Sequence, residues 1–279
     1  MTPEQYCESK SKIALSGSSF YYSFLFLPTP RRQAIIALYA FCREVDDIVD
    51  HAQDAHIAAT KLNWWHEEIT RLFAGVPEHP ISQALLPYVR NYDLRRAWFD
   101  AILDGMEMDL THPRYADFAQ LKIYCYRAAG VVGLLSASIF GYQDEATLAY
   151  AEKLGEALQL VNIIRDVGED AGKGRIYIPI DELQKFNVPA DDIFNRRYSE
   201  HFTKLMQFQA QRARATYQQA LALLPQIDHR AQRAGLIMAA IYFSLLDEIE
   251  REKMQVLHQR ISLTPIRKLW LAWKTWIRG

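Results

Sequence analysis

This sequence predicts an all-α protein, on three observations. Glycine and proline are sparse, 12 and 11 in 279 residues, so little interrupts a helix. Long segments carry apolar residues at every third or fourth position, which is helical periodicity. Alternating strand patterns are hard to find; RIYIPI (175–180) is the best, and Pro179 demotes it.

The elements follow in chain order. MTPEQYCESKSK at the start is polar and lacks a basic-then-apolar leader pattern. SSFYYSF comes next, and LPTP (27–30) marks the first break. Helical spacing then covers 31–48 and 56–73, the second ended by GVPEHP (75–80). After a break at 111–114 comes an uncharged run, 128–143, too short and too rich in glycine and serine for a membrane span. Spacing of three and four resumes over 148–167 and stops near GKG (172–174). Beyond the break at Pro189 it returns over 200–224 and 232–259. No long linker, repeat or low-complexity tract divides the chain. The expectation is one domain, residues 1–279, with its helices packed around a central cavity.

Composition narrows the function. Half the residues are hydrophobic, 23% are charged, and the net charge is −1, so the chain folds and nucleic acid is not its expected partner. Cys7, Cys42 and Cys125 are odd in number and lack CxxC spacing. Neither a disulfide framework nor a zinc site follows, and a reducing, cytoplasmic location is the simplest expectation.

Two acidic clusters carry the chemistry: Asp46, Asp47 and Asp50, then Asp166, Glu169 and Asp170. At about 100° per residue, Tyr39, Arg43, Asp46 and Asp50 fall within about 60° of one another. Gln159, Asn162, Asp166 and Asp170 fall within about 80°. Asp47 lies about 70° off the first stripe, which makes it a supporting residue. Neither stripe contains lysine, whereas a solvated face interleaves Glu with Lys. The neighbours Ile36, Ala40, Leu158, Val161 and Ile163 are apolar, so the acids face inward. Buried carboxylates need positive charge. Simple ion pairs to Arg43 and Arg165 are one source; Mg²⁺ bridging to a phosphate is the other, and suits two such clusters better.

YAFCREVDDIVD (39–50) and ALQLVNIIRDVGEDAGKGRIYIP (157–179) resemble the two aspartate-rich signatures of the squalene/phytoene synthase family. DGMEMDL (104–110), YCYRAAGVVG (124–133) and the late AAIYFSLLDEIE and LHQRI segments add to the likeness, in the family's order. The resemblance implies the helical bundle of isoprenoid synthases and a prenyltransferase. Such an enzyme joins two isoprenoid diphosphates head to head with two or three Mg²⁺ ions. It implies Asp46, Asp50, Asp166 and Asp170 as metal ligands with Asn162. Tyr39, Arg43, Tyr124 and Arg165 would act on the reacting diphosphate. Ser19, Phe20, Phe24, Gln159, Arg175, Tyr242 and Arg260 would bind substrate, with Phe24 a floor for the prenyl tail. The small residues of AAGVVGLLSASIFG suit either a tail running beside the helix or close helix packing.

One departure stands out. Many family members place His or Lys where this chain has Ser16 and Ser18, so a cationic diphosphate contact is missing or replaced. SGSSFYYSF is similar to bacterial presqualene diphosphate synthases of the hopanoid pathway, which implies farnesyl diphosphate as substrate and downstream squalene-forming enzymes as partners. Squalene, dehydrosqualene or phytoene synthesis are the near alternatives. An inactive prenyl-lipid carrier and a one-substrate terpene cyclase are the distant ones. No GxGxxG pattern exists; family squalene synthases bind NADPH without one, and NADPH is not favoured here. His112 and His201 are read as surface residues and His258 as a helix-end residue. In the tail, 266–279, Ile266, Leu269, Trp270, Trp273 and Ile277 share one helical side, with Arg267, Lys274 and Arg278 on a flank and Lys268 opposite. That pattern fits either a peripheral contact with the inner membrane face or packing onto the domain.

Overall fold

A computed structural model describes residues 2–15, 19–52, 54–111 and 114–278. Ser16, Ser18 and His112 lie outside the described residues. The rest form helices: α1 (Pro3–Leu15), α2 (Ser19–Phe24), α3 (Thr29–Asp50), α4 (Ala55–Ala74), α5 (Pro80–Asn91), α6 (Arg96–Thr111) and α7 (Phe118–Cys125). A π-turn, Tyr126–Gly130, joins α7 to α8 (Val131–Phe140). Then come α9 (Ala146–Gly172), α10 (Ile180–Lys185), α11 (Ala190–Phe194), α12 (Glu200–Leu223), α13 (Arg233–Arg251) and α14 (Pro265–Arg278). Among the described residues there is no strand; RIYIPI contributes one isolated bridge, Ile176 to Arg114.

Local chemistry sets the helix ends. Pro30 opens α3 in its first turn, where a missing N–H costs nothing. Asp54 caps α4 by accepting from the His56 N–H at 2.7 Å, and Gly75 closes it at φ 87°. Asp117 and Ser199 cap α7 and α12 through the N–H groups of Gln120 and Phe202. The spacing over 232–259 overran: α13 stops at Arg251, because Lys253 and Met254 adopt φ of 52° and 59°. His258 therefore stands exposed in an irregular segment against the Tyr198 ring, not at a helix end. His201 is exposed, as expected.

The 27-residue α9 is buried on most of its circumference and forms the spine. One apolar cluster gathers α9, α12 and α13; another gathers α3 to α6 with α8; Phe20, Ala128 and Leu148 pack against both. A β-carbon on Gly133 would lie 2.2 Å from the Ala151 carbonyl oxygen, and one on Gly155 2.4 Å from that of Ala129. Only glycine permits this backbone-to-backbone approach of α9 to α8 and the π-turn. Phe118–Phe140 is long and apolar enough to cross a membrane by length and composition, though over half of it is buried within the fold. Its apolarity is explained by contact with α6 and α9 on either side.

The segment after α13 folds back over α9, burying Val256, Leu257 and Ile261 and bringing Arg260 to Asp166. Gly168 makes room for it, since a β-carbon there would meet the Leu257 carbonyl oxygen at 2.2 Å. α14 then packs on α13 and α2: Ala272 is fully buried, and Trp276 stacks on Phe26 at 5.0 Å.

Candidate active site

The middle of the molecule holds a cavity of about 710 Å³. Its body is apolar, lined by Phe20, Phe24, Leu38, Met106, Leu154 and Met238 among others. Along α8 the lining is small: Val132, Gly133, Ser136 and Ala137, beside Ala128 and Ala129 of the π-turn. The close-packing reading of AAGVVGLLSASIFG is realised, since Gly133 packs on α9, and the same residue borders the cavity. Phe24 is buried in this wall, with its ring 6.0 Å from Phe20, which in turn lies 5.4 Å from Tyr39.

At one end the lining becomes polar. α3 supplies Tyr39, Arg43 and Asp46, and α9 supplies Gln159, Asn162 and Arg165. Ser19, Tyr242 and Arg260 complete the rim. Of the sequence-predicted residues, Asp50, Tyr124, Asp166, Asp170 and Arg175 do not line the cavity itself. Asp166 adjoins it through two lining arginines. Arg165 donates to Asp166 from Nε at 2.7 Å and Arg260 from Nε at 2.9 Å. Tyr242 lies beside Arg165 and helps hold its guanidinium charged. Asp50 accepts from Lys173 at 3.0 Å and Arg175 at 3.1 Å, which ties the end of α3 to the turn after α9. Arg43 donates to Asp46 at 2.7 Å and to Asp47 at 2.6 Å, so Asp47 supports the arginine from off the stripe.

Tyr124 stands behind Asp109, a residue the stripe arithmetic missed. The Tyr124 hydroxyl donates to one Asp109 oxygen at 3.0 Å and the Tyr177 hydroxyl to the other at 2.6 Å. Burial and the Asp109 charge push both phenols well above their ordinary value, so both stay neutral donors. Asp109 senses both clusters, raising Asp46 and Asp170 alike. Lys268 was missed as well. It is buried on α14, lines the cavity, and has its pKa lowered by burial and by nearby Arg165 and Arg260.

The donors suit a hard divalent cation. Burial, with Asp50 as neighbour, pushes Asp46 up to about 6. Burial, with Asp166 as neighbour, pushes Asp170 up to about 7. Burial works to raise Asp166 too, but Arg165 outweighs it and holds that carboxyl below the usual range. The buried Asn162 Oδ1 has no hydrogen-bond partner, while its Nδ2 donates to Gln159 at 3.2 Å. Crowded carboxylates beside an orphaned carbonyl oxygen are what Mg²⁺ relieves. His66, Asp104 and Glu107 form another cluster with ligand atoms within 4.8 Å, sharing no residue with this cleft.

An all-helical shell around an apolar cavity, with arginines and carboxylates at one end, is a container for molecules with an anionic head and an apolar tail. Known proteins agree. The squalene/phytoene synthase family model matches residues 13–267. The chain is 37% identical over 278 residues to the 15-cis-phytoene synthase of Synechococcus elongatus, covering 95% of this chain and 90% of that one. Identity to the phytoene synthase of Arthrospira platensis is 37%, covering 91% and 86%. A crystal structure of a dehydrosqualene synthase in complex with ligand matches with a TM-score of 0.88 at 29% identity, covering 98% and 95%. Squalene synthase HpnC from Alicyclobacillus acidocaldarius matches with 0.81 at 28%, covering 90% and 94%. This chain belongs to the squalene/phytoene synthase family.

Proposed function

We propose that this protein condenses two farnesyl diphosphates head to head into presqualene diphosphate, releasing one diphosphate and one proton. The observation that carries the reading is one cavity that joins an apolar body to a polar rim of Arg43 and Asp46 from α3 and Gln159, Asn162 and Arg165 from α9. Asp46, Asp50, Asp166 and Asp170, with the Asn162 oxygen, would hold Mg²⁺, which supplies charge neutralisation for a departing diphosphate. Arg43, Arg165 and Arg260 bind diphosphate oxygens through charge-assisted hydrogen bonds, and Tyr39 and Tyr242 orient them. Arg175 secures Asp50, and Gln159 orients the Asn162 amide. Lys268 supplies the cation absent at Ser16 and Ser18.

The C1–O bond of one allylic diphosphate breaks, and the electron pair leaves with the diphosphate. The C2–C3 alkene of the second substrate attacks the resulting cation, and proton loss from the former C1 closes the cyclopropane. The apolar body keeps water from that cation. Phe20, Phe24 and Phe140 bound the tail space, which supports a C15 chain. Phe20, Ala128 and Leu148 bridge both apolar clusters, which supports one domain over 1–279.

A second reading, phytoene formation from C20 diphosphates, is favoured by the names of the sequence relatives. Incubation with Mg²⁺ and either farnesyl or geranylgeranyl diphosphate, followed by mass analysis, separates the two. The C15 substrate should yield presqualene diphosphate without NADPH. Turnover of the C20 substrate alone would transfer the assignment to phytoene, and a C30 hydrocarbon as sole product would refute the presqualene endpoint.

A further inference from the structure

Among the described residues, nothing covers the outer face of α14. Ile266, Leu269, Trp270, Trp273 and Ile277 are 82%, 48%, 50%, 55% and 60% exposed. At about 100° per residue they occupy one stripe about 100° wide along a helix about 21 Å long. The inner face is well packed, through Ala272, Trp276 and Lys268, so α14 is fixed in place rather than loosely attached. α2, its neighbour, adds Tyr21, and the turn after it adds Leu25, both exposed, while Tyr22 and Phe26 face α14. Contiguous apolar surface of this kind on a folded protein marks an interaction site.

Charge identifies the occupant. Residues 264–279 hold four basic residues and no acidic one; Lys268 turns into the cavity and Arg267 pairs with Glu248, while Lys274 flanks the outer stripe. On the outer stripe, Lys274 lies 4.6 Å over the Trp270 ring. Indoles beside cations at one level are the composition of a helix lying in a lipid headgroup region, its cations among the phosphates. A second copy fits less well, since a two-fold contact through this face would set Lys274 near its own equivalent.

We propose that the outer face of α14, with Tyr21 of α2 and Leu25 in the turn after it, docks this protein on an anionic phospholipid bilayer. The same two helices supply cavity-lining residues, Lys268 from α14 and Phe20 and Phe24 from α2. Docking therefore sets the reaction cavity beside the phase into which an apolar product partitions. This holds whichever pair of prenyl chains the cavity takes.

The test is co-sedimentation of the full chain, without substrate, with phosphatidylcholine vesicles and with vesicles of about seven parts phosphatidylcholine to three of phosphatidylglycerol. Wild type should pellet with the anionic vesicles, and added salt should release it in part. Trp270→Ser combined with Trp273→Ser should weaken partitioning about tenfold or more, with the far-UV spectrum and turnover of detergent-dispersed substrate retained. Lys274→Gln should reduce binding to anionic vesicles only. Equal partitioning of the double variant and wild type overturns the proposal, as does wild type that pellets with neither vesicle. A dimer by sedimentation equilibrium that the Trp substitutions dissolve also overturns it, assigning the face to a second copy.

Discussion

At the residue scale, Asp109 stands between the two acidic clusters. Its two oxygens accept from two phenols that stay neutral, so two fixed donors set its orientation. Asp109→Asn removes a negative charge felt by Asp46 and Asp170 and replaces one acceptor by a donor that faces a donor. Activity should fall about 10–100-fold, with a raised Mg²⁺ concentration for half-maximal rate and an unchanged far-UV spectrum. An unaltered metal requirement would remove Asp109 from the cleft's electrostatics. The sequence showed the two stripes because helical spacing alone brings Arg43, Asp46 and Asp50 together. It hid Asp109 because Tyr177 lies 68 residues away, and no local period relates them. It hid the site role of Lys268 for a similar reason, since which side of α14 meets the cavity depends on how α14 docks.

At the scale of elements, the long helices were legible from their periodicity, with α3, α4, α9 and α12 ending within a few residues of expectation. The end of α13 was not, because the apolar spacing continues into a segment buried for a different reason, its fold back over α9. The contact of α8 and the π-turn with α9 rests on two glycines. Gly155→Ala would drive a β-carbon to 2.4 Å from the Ala129 carbonyl oxygen and should cost about 1–3 kcal/mol in denaturant unfolding. Gly172→Ala meets only the Arg196 guanidinium at 3.8 Å and should be neutral, or stabilising by about 0.5–1 kcal/mol. Equal effects at the two positions would show that the crossing is not held by this contact.

At the scale of the whole molecule, both halves of the helical shell contribute carboxylates to one cleft, so ionisation of the cleft bears on global stability. Asp46 and Asp170 are held near 6 and 7 against an ordinary 3.8. With Mg²⁺ removed, the folded state keeps protons the unfolded chain has lost. Stability should then fall as pH rises from about 4 to about 7. Asp50 and Asp166, held below the ordinary value, act in the opposite direction and only as pH falls through the acid range. Calorimetry in chelator should show one transition whose Tm drops between about pH 5 and pH 7.5, and saturating Mg²⁺ should remove the drop. A flat metal-free profile would argue against carboxylate crowding, and two separate transitions would argue against one domain.

The contact of Gly133 and Gly155 with the facing backbone has a consequence for how this scaffold can be re-engineered. Where backbone rests on backbone, no side chain remains to trim, so that boundary of the cavity is inert to substitution. Variation in chain length must come instead from the larger lining side chains, such as Phe20, Phe24, Leu38, Met106, Leu154 and Met238, which can be shortened or enlarged. A mutant library confined to those side chains would vary the tail space without touching the glycine contacts. One spread evenly over the cavity lining would lose many of its members to misfolding at the glycines.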